Sequence, residues 1–179
     1  MSANSIQPYL PGLSIPHGYH DFQGQLTYSN VNLIQLDFFY RRAFPHAVCI
    51  EKITDITLQK QGIDTKVFLK NGKVLYFDEK NRKKDYGDIL LEEYSDFDRR
   101  KLGWLSGEKQ TDYITYIVRP SRMAYFLPFL LLQRAWLTHY HEWLKNYGRE
   151  FAPNKTYRTS NIPVPTEVLF KAIFECAKF

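Results

Sequence analysis

Cysteine is scarce: Cys49 and Cys176 are the only two in 179 residues, and they stand far apart in apolar surroundings. No CxxC-type spacing exists, which excludes a structural zinc site of the usual kind and a disulfide framework. Unpaired thiols point to a reducing compartment, of which the cytoplasm is the simplest. Long hydrophobic runs are also missing. The most apolar stretch, Met123–Leu132, contains Pro128 and is too short to span a bilayer, so it is expected to start a buried helix. The N-terminus is polar and lacks a basic-then-apolar leader pattern, so no membrane partner is expected. A Gly-rich phosphate loop, a nucleophile elbow and a dinucleotide fingerprint are all absent, which argues against an NTPase, a serine-type hydrolase and a dehydrogenase. There are no internal repeats or low-complexity segments.

What is there suits a single globular domain over residues 1–179, with 44% hydrophobic and 24% charged residues. Aromatics are plentiful, with 13 Tyr and 13 Phe, enough to fill a core and to offer rings for base stacking. The net charge is +5 with a pI near 9.1. Its distribution says more than its size. Between Lys60 and Lys84 eight basic residues face three acidic ones, a local +5 that equals the whole chain's excess. A polyanion is the partner such a patch suits.

Residues 1–30, rich in Pro, Gly, Ser and Asn, read as an irregular arm. Asn30 or Asn32 is placed to cap a helix running to about Ala43, striped by Leu33, Leu36, Phe39 and Tyr40 and stopped by Pro45. Ile53–Leu58 alternates weakly and is expected as a strand. Ile63–Leu69 and Lys73–Lys80 are strand-like and flank Asn71-Gly72, the favoured pair for a two-residue type I′ hairpin turn. Further strands are expected at 89–94, 113–118 and 157–164. A helix should fill about 128–147, stopped by Gly148, and Thr166 should cap a terminal helix with Glu167 in its first turn. This order predicts an α/β (α+β) fold, a mixed sheet of four to five strands flanked by helices.

The hairpin carries the chemistry. Across an Asn71-Gly72 turn Asp64 and Asp78 fall nearly opposite each other, one residue out of register. Asp78 and Lys80 are two apart on one strand and share a face. Two carboxylates and an ammonium can therefore meet at the open end of the hairpin. Hard oxygen ligands of this kind hold Mg²⁺, which usually keeps several waters. The backbone carbonyl of Glu79 can add a ligand, and Lys80 can hold a phosphate or the attacking water. An Asp/Glu-x-Lys tripeptide alone is cheap, with about one or two expected by chance in a basic chain. The alternative is an exposed hairpin with solvated cross-strand Asp/Lys pairs.

Gln61-Gly-Ile-Asp64, Asn71-Gly-Lys73 and Phe77-Asp-Glu-Lys80 with Arg82 resemble the PD-(D/E)XK, restriction-endonuclease-like nuclease superfamily, over roughly Asp37 to Val118. Ile63 stands where the motif nominally has Pro. The resemblance implies metal ligation by Asp64 and Asp78, catalytic assistance by Lys80, Mg²⁺ or Mn²⁺ as cofactor, and DNA as the first-choice substrate. It also implies an acid on the first helix, for which Asp37 is the candidate, with Glu51 behind it.

Around this centre, Lys60 and Gln61 precede Asp64, and Arg82, Lys83 and Lys84 follow Lys80; these are candidate phosphate contacts, and each can also be a solvated charge. Tyr86 could stack on a base. Glu92 and Glu93 point to opposite faces of one strand. Glu92, in parity with Leu90 and Asp88, is the one expected to face the site, and Glu93 to face solvent. His139 and His141 diverge by about 200° on a helix and cannot share a metal easily. Trp136, Tyr140 and Trp143 form a core stripe. The expectation is a metal-dependent nuclease that selects nucleic-acid structure or relies on a homodimer or a targeting partner protein. The alternatives are a non-catalytic nucleic-acid-binding module on the same fold and a structural or protein-interaction domain.

Overall fold

Local chemistry decides the first described elements of this computed structural model, which covers residues 36–154 and 156–178. The chain divides into two units, Met1–Phe38 and Phe39–Phe179. The arm and the cap expected at Asn30 or Asn32 lie outside the described residues. A helix is present at 36–43 (α1), and strand β1 follows at Ala47–Lys52. The segment expected as a strand at 53–58 instead holds a short helix, α2 (Ile56–Lys60). The reason is a cap: the Asp55 carboxylate accepts the amides of Thr57 and Leu58 at 2.7 and 3.4 Å, satisfying orphan donors that a strand would have sent elsewhere.

The hairpin joins β2 (Thr65–Leu69) to β3 (Val74–Arg82). Its turn differs from the expected type I′. The Leu69 amide donates to the Lys73 carbonyl and the Gly72 amide to the Leu69 carbonyl. Only Gly72 has a positive φ, +82°, whereas a type I′ turn needs two such residues. The loop therefore has three residues, a type I turn closed by glycine. Thr65 pairs with Phe77, and the Asp64 amide donates to the Phe77 carbonyl, which keeps Asp64 at the open end of the hairpin next to Asp78.

A five-stranded mixed sheet runs β1-β2-β3-β6-β7, with β6 at Tyr113–Val118 and β7 at Met123–Pro128. β3 and β6 are parallel, Asp78 beside Ile114 and Glu79 beside Thr115. β7 occupies the stretch expected as a helix start, because it pairs with β6 from Val118↔Met123 to Tyr113↔Pro128; helix α3 (Phe129–Tyr147) begins only after Pro128. The strand expected at 89–94 is β4 (Asp88–Asp96), and it leaves this sheet. It joins an antiparallel second sheet, β5-β4-β9-β8, with β5 at Lys101–Leu102, β8 at Glu150–Pro153 and β9 at Arg158–Pro165. The terminal helix α4 is Thr166–Cys176. Thr166 is its first residue and not its cap: its hydroxyl donates to the Gly87 carbonyl at 3.0 Å.

The core fills the space between one face of the five-stranded sheet, the second sheet and the two long helices. Ile114, Tyr116, Val118 and Leu127 meet Ile89, Leu91, Ile162 and Val164, together with Leu132, Trp136 and Trp143 of α3 and Leu169 and Ile173 of α4. Each such side chain contributes about 1.5–3 kcal/mol by leaving water. The opposite face of the sheet is aromatic. Phe77 stacks on Tyr113, and Tyr40, Phe44 and Phe126 pack edge-on around them. No helix among the described residues is long and apolar enough to cross a membrane.

Candidate active site

Asp64 stands one residue before β2, anchored at both ends. Its amide donates to the Phe77 carbonyl at 2.8 Å, and its Oδ2 accepts the Glu79 amide at 2.7 Å. Its carboxyl titrates above the ordinary carboxylate range. Burial is the main cause, opposed by the Glu79 amide and reinforced by the adjacent Asp78 carboxylate. Asp78 is 2% exposed. Its Oδ1 accepts from Lys80 Nζ at 2.5 Å, its Oδ2 is buried with no N–H or hydroxyl donor, and its carboxyl shares a hydrogen bond with that of Asp64. Leaving such an oxygen unpaired costs about 1–3 kcal/mol or more.

Other elements close around the pair. Glu92 on β4 turns toward it. Burial raises the Glu92 carboxyl above its usual range, Lys80 and Lys109 lower it, and the Asp78 charge raises it again. The Trp104 amide holds Glu92 Oε1 at 3.2 Å, and the Trp104 ring lies 5.8 Å from Lys80 Nζ. Gly103 permits this approach, since a Cβ there would sit 2.2 Å from the Glu92 carbonyl oxygen. Gly62, at φ +85°, lies against the centre from the other side: a Cβ there would be 3.5 Å from Asp78 Oδ2 and 3.0 Å from Lys109 Cδ. Lys109 reaches across to the Lys60 carbonyl at 3.2 Å. Lys109 has no local sequence signal, because it reaches the site through contacts distant along the chain, and Gly62 is legible only as part of the Gln61-Gly-Ile-Asp64 segment. Trp104 has a double role, bracing Glu92 through its amide and joining the core with its ring.

Several expected residues lie elsewhere. The Glu79 side chain is on the opposite face of β3, where Tyr40, Thr65 and Lys52 all donate to its Oε1; strand alternation forces this, so only its main chain can serve a ligand beside Asp78. Arg82 is 7% exposed and is held by Asp88 at 2.7 Å, without a directed hydrogen bond, so it is not available as a phosphate contact. Glu51 is exposed, on β1, two strands away from Asp78. Asp37 falls in the first of the two units. Glu93, expected to face solvent, is 4% exposed and bonded to Arg149, Tyr140 and Ser160. Lys60 is exposed at the end of α2, and Gln61 caps that helix half-buried. Lys83, Lys84 and Tyr86 are exposed in the loop after β3, with Tyr86 beneath the Arg82 guanidinium at 5.2 Å.

Among the described residues no group of three or more His, Cys, Asp or Glu side chains is placed to hold a metal ion. The donor set here is a carboxylate pair with one oxygen free of N–H and hydroxyl donors, which fits Mg²⁺, an ion commonly held by one or two carboxylates, waters and substrate phosphates. A cleft of about 680 Å³ lies nearby, lined by Lys73, Leu75, Tyr113, Phe129, Gln133 and also Lys109. It does not include either aspartate, so the chemistry assigns the site here and the cleft does not. No family model matches this chain, and no curated protein and no solved structure does.

Proposed function

We propose that this chain is a Mg²⁺-dependent nuclease of the PD-(D/E)XK kind, with Mn²⁺ as an alternative cofactor and DNA ahead of RNA as substrate. The observation that carries it is the close pair of carboxyls, Asp64 and Asp78, next to a lysine on the same strand face, with no N–H or hydroxyl donor on the buried Oδ2 of Asp78. Asp64 and Asp78 would hold the cation. When bound, such an ion supplies an activated water and neutralises charge that develops on a phosphate. Lys80, steered by Asp78 Oδ1, is placed to hold the scissile phosphate or the attacking water as a compact cation. Glu92 keeps a second negative charge near that ammonium. Lys60, Lys83 and Lys84 are exposed and suited to flanking phosphates. The free thiols of Cys49 and Cys176 are consistent with a cytoplasmic setting. Selection by nucleic-acid structure, by a partner protein or by a second copy of the chain completes the reading.

Cleavage assays with Mg²⁺ or Mn²⁺ on linear, nicked, branched and single-stranded substrates test it. Asp78→Ala and Lys80→Ala should each lose at least about 100-fold in rate while keeping salt-dependent binding. A wild-type protein that cuts none of these substrates defeats the enzyme reading. If it also lacks salt-dependent affinity, a nucleic-acid-binding module is ruled out with it.

A further inference from the structure

We propose that the surface where β4 and β8 end is a stacking platform for a single-stranded nucleic-acid segment. The inference rests on the nuclease reading for its ligand and adds which part of the substrate this surface takes. Phe97, in the turn after β4, is its centre. Its ring lies 5.7 Å from Tyr94 and 5.0 Å from Phe151, edge-on to both. Three guanidinium groups surround the same ring, Arg100 and Arg158 at 5.5 Å and Arg149 at 5.8 Å. Arg158 also covers Phe151 at 5.1 Å, and Arg100 covers Tyr94 at 5.8 Å.

The cluster is not sealed into the core. Phe151 is 41% exposed, the Arg158 side chain 49%, and Arg100 is exposed. Crowding three cations on one ring is unfavourable unless anions answer them. Glu93 answers Arg149 at 2.6 Å, and Asp98 answers Arg158 at 2.6 Å. Arg100 makes no ion pair among the described residues. It is also one of two non-glycine residues there with a positive φ, +56°, a backbone setting that long side chains seldom adopt. Part-exposed rings interleaved with guanidinium planes are the chemistry that binds unpaired bases, the planes stacking and the outer N–H groups meeting phosphate. The platform lies on the Glu93 side of β4: Arg149 joins the Phe97 ring to Glu93, and the β4–β9 register shifts between Glu92 and Tyr94.

The test is binding of the full chain in EDTA, followed by fluorescence anisotropy, to oligo(dT) and oligo(U) of about 20 nucleotides, a duplex of equal length and poly-glutamate. Wild type should bind the single strands with strong salt dependence, and the dT and U arms tell DNA from RNA. Phe97→Leu keeps the apolar volume and removes the ring; Arg100→Gly relieves the backbone setting and removes the cation. Each should weaken single-strand binding about fivefold or more and duplex binding by less than about twofold, with melting temperatures held close to wild type. Equal loss on both nucleic acids, no loss, or poly-glutamate binding that matches the single strand overturns the platform. Divalent-dependent cleavage is scored separately. Ring-dependent binding without cleavage removes the nuclease reading alone. Cleavage lost at Asp78 but single-strand affinity indifferent to Phe97 removes the platform alone.

Discussion

Glu93 is 4% exposed and Asp78 is 2%, yet the fold treats these buried carboxylates in opposite ways. Glu93 takes bonds on both oxygens: from Arg149 at 2.6 and 2.7 Å, from Ser160 at 2.9 Å and from Tyr140. Burial raises its carboxyl, but those bonds outweigh the burial and hold it below the ordinary range. Tyr140 is pushed up to about 12 by burial and by the same carboxylate. Asp78 has one ion pair and one oxygen with no N–H or hydroxyl donor, and its neighbour Asp64, hydrogen-bonded to it carboxyl to carboxyl, is raised. Glu79, next along β3, resembles Glu93, with three donors on one oxygen. A buried carboxylate whose bonds are filled is a structural tie. One left short of partners beside a second acid is where a ligand's charge is needed.

That contrast can be broken most decisively at Asp78. Asp78→Asn should reduce metal-dependent cleavage by at least about 1000-fold, roughly 4 kcal/mol, while the melting temperature falls by less than in Glu93→Gln: the two ion pairs are equally buried, but Asp78 gives up one donor where Glu93 gives up three residues' worth. Glu93→Gln should do the reverse. It strips the charge from a buried pair and costs about 2–4 kcal/mol, a fall in melting temperature of about 5–10 °C, with the rate per folded molecule unchanged. Calorimetry beside a single-turnover assay reads both variants. If Glu93→Gln spares stability and abolishes cleavage, the sorting by filled and unfilled bonds is wrong. Glu92→Gln sits between the two. It removes one of the carboxylates facing Lys80 and should lower kcat about tenfold with little change in KM; an unchanged kcat places Glu92 outside the chemistry.

How far the sequence discloses this contrast depends on distance along the chain. Asp64, Asp78 and Lys80 were legible because a hairpin is local and strand parity is a period of two. The loop type was not, since two- and three-residue turns both accept Asn71-Gly72 and only the closing bond from Leu69 to Lys73 separates them. Arg82 looked like part of a free basic run with Lys83 and Lys84. Its partner Asp88 lies beyond a turn at Gly87 that brings β4 back. Glu93 looked solvent-facing because Arg149 and Ser160, which bury it, are 56 and 67 positions away. The second sheet was hidden for the same reason: β4 finds its neighbour in β9, from Asp88↔Pro165 to Tyr94↔Ser160, and no local pattern announces that pairing.

The smallest expected effect is the most diagnostic in sign. Asp64 titrates above its unfolded value, chiefly through burial and in part through Asp78, so the folded chain holds that proton more tightly than the unfolded one. Stability from this group is complete below the unfolded carboxylate range, near pH 4, and is lost as pH rises through the higher folded value. Asp64→Asn keeps an oxygen for the Glu79 amide and abolishes the titration. In EDTA it should therefore melt with wild type near pH 4 and above it at neutral pH. The gap should be about 0.5 kcal/mol, or about 1–2 °C, once solvent screening at a half-buried group is allowed for. Added Mg²⁺ should close or invert the gap by binding wild type alone. A variant less stable than wild type at neutral pH in EDTA would mean that the Asp64–Asp78 pair is a satisfied structural contact like Glu93, and the comparison would lose its second member.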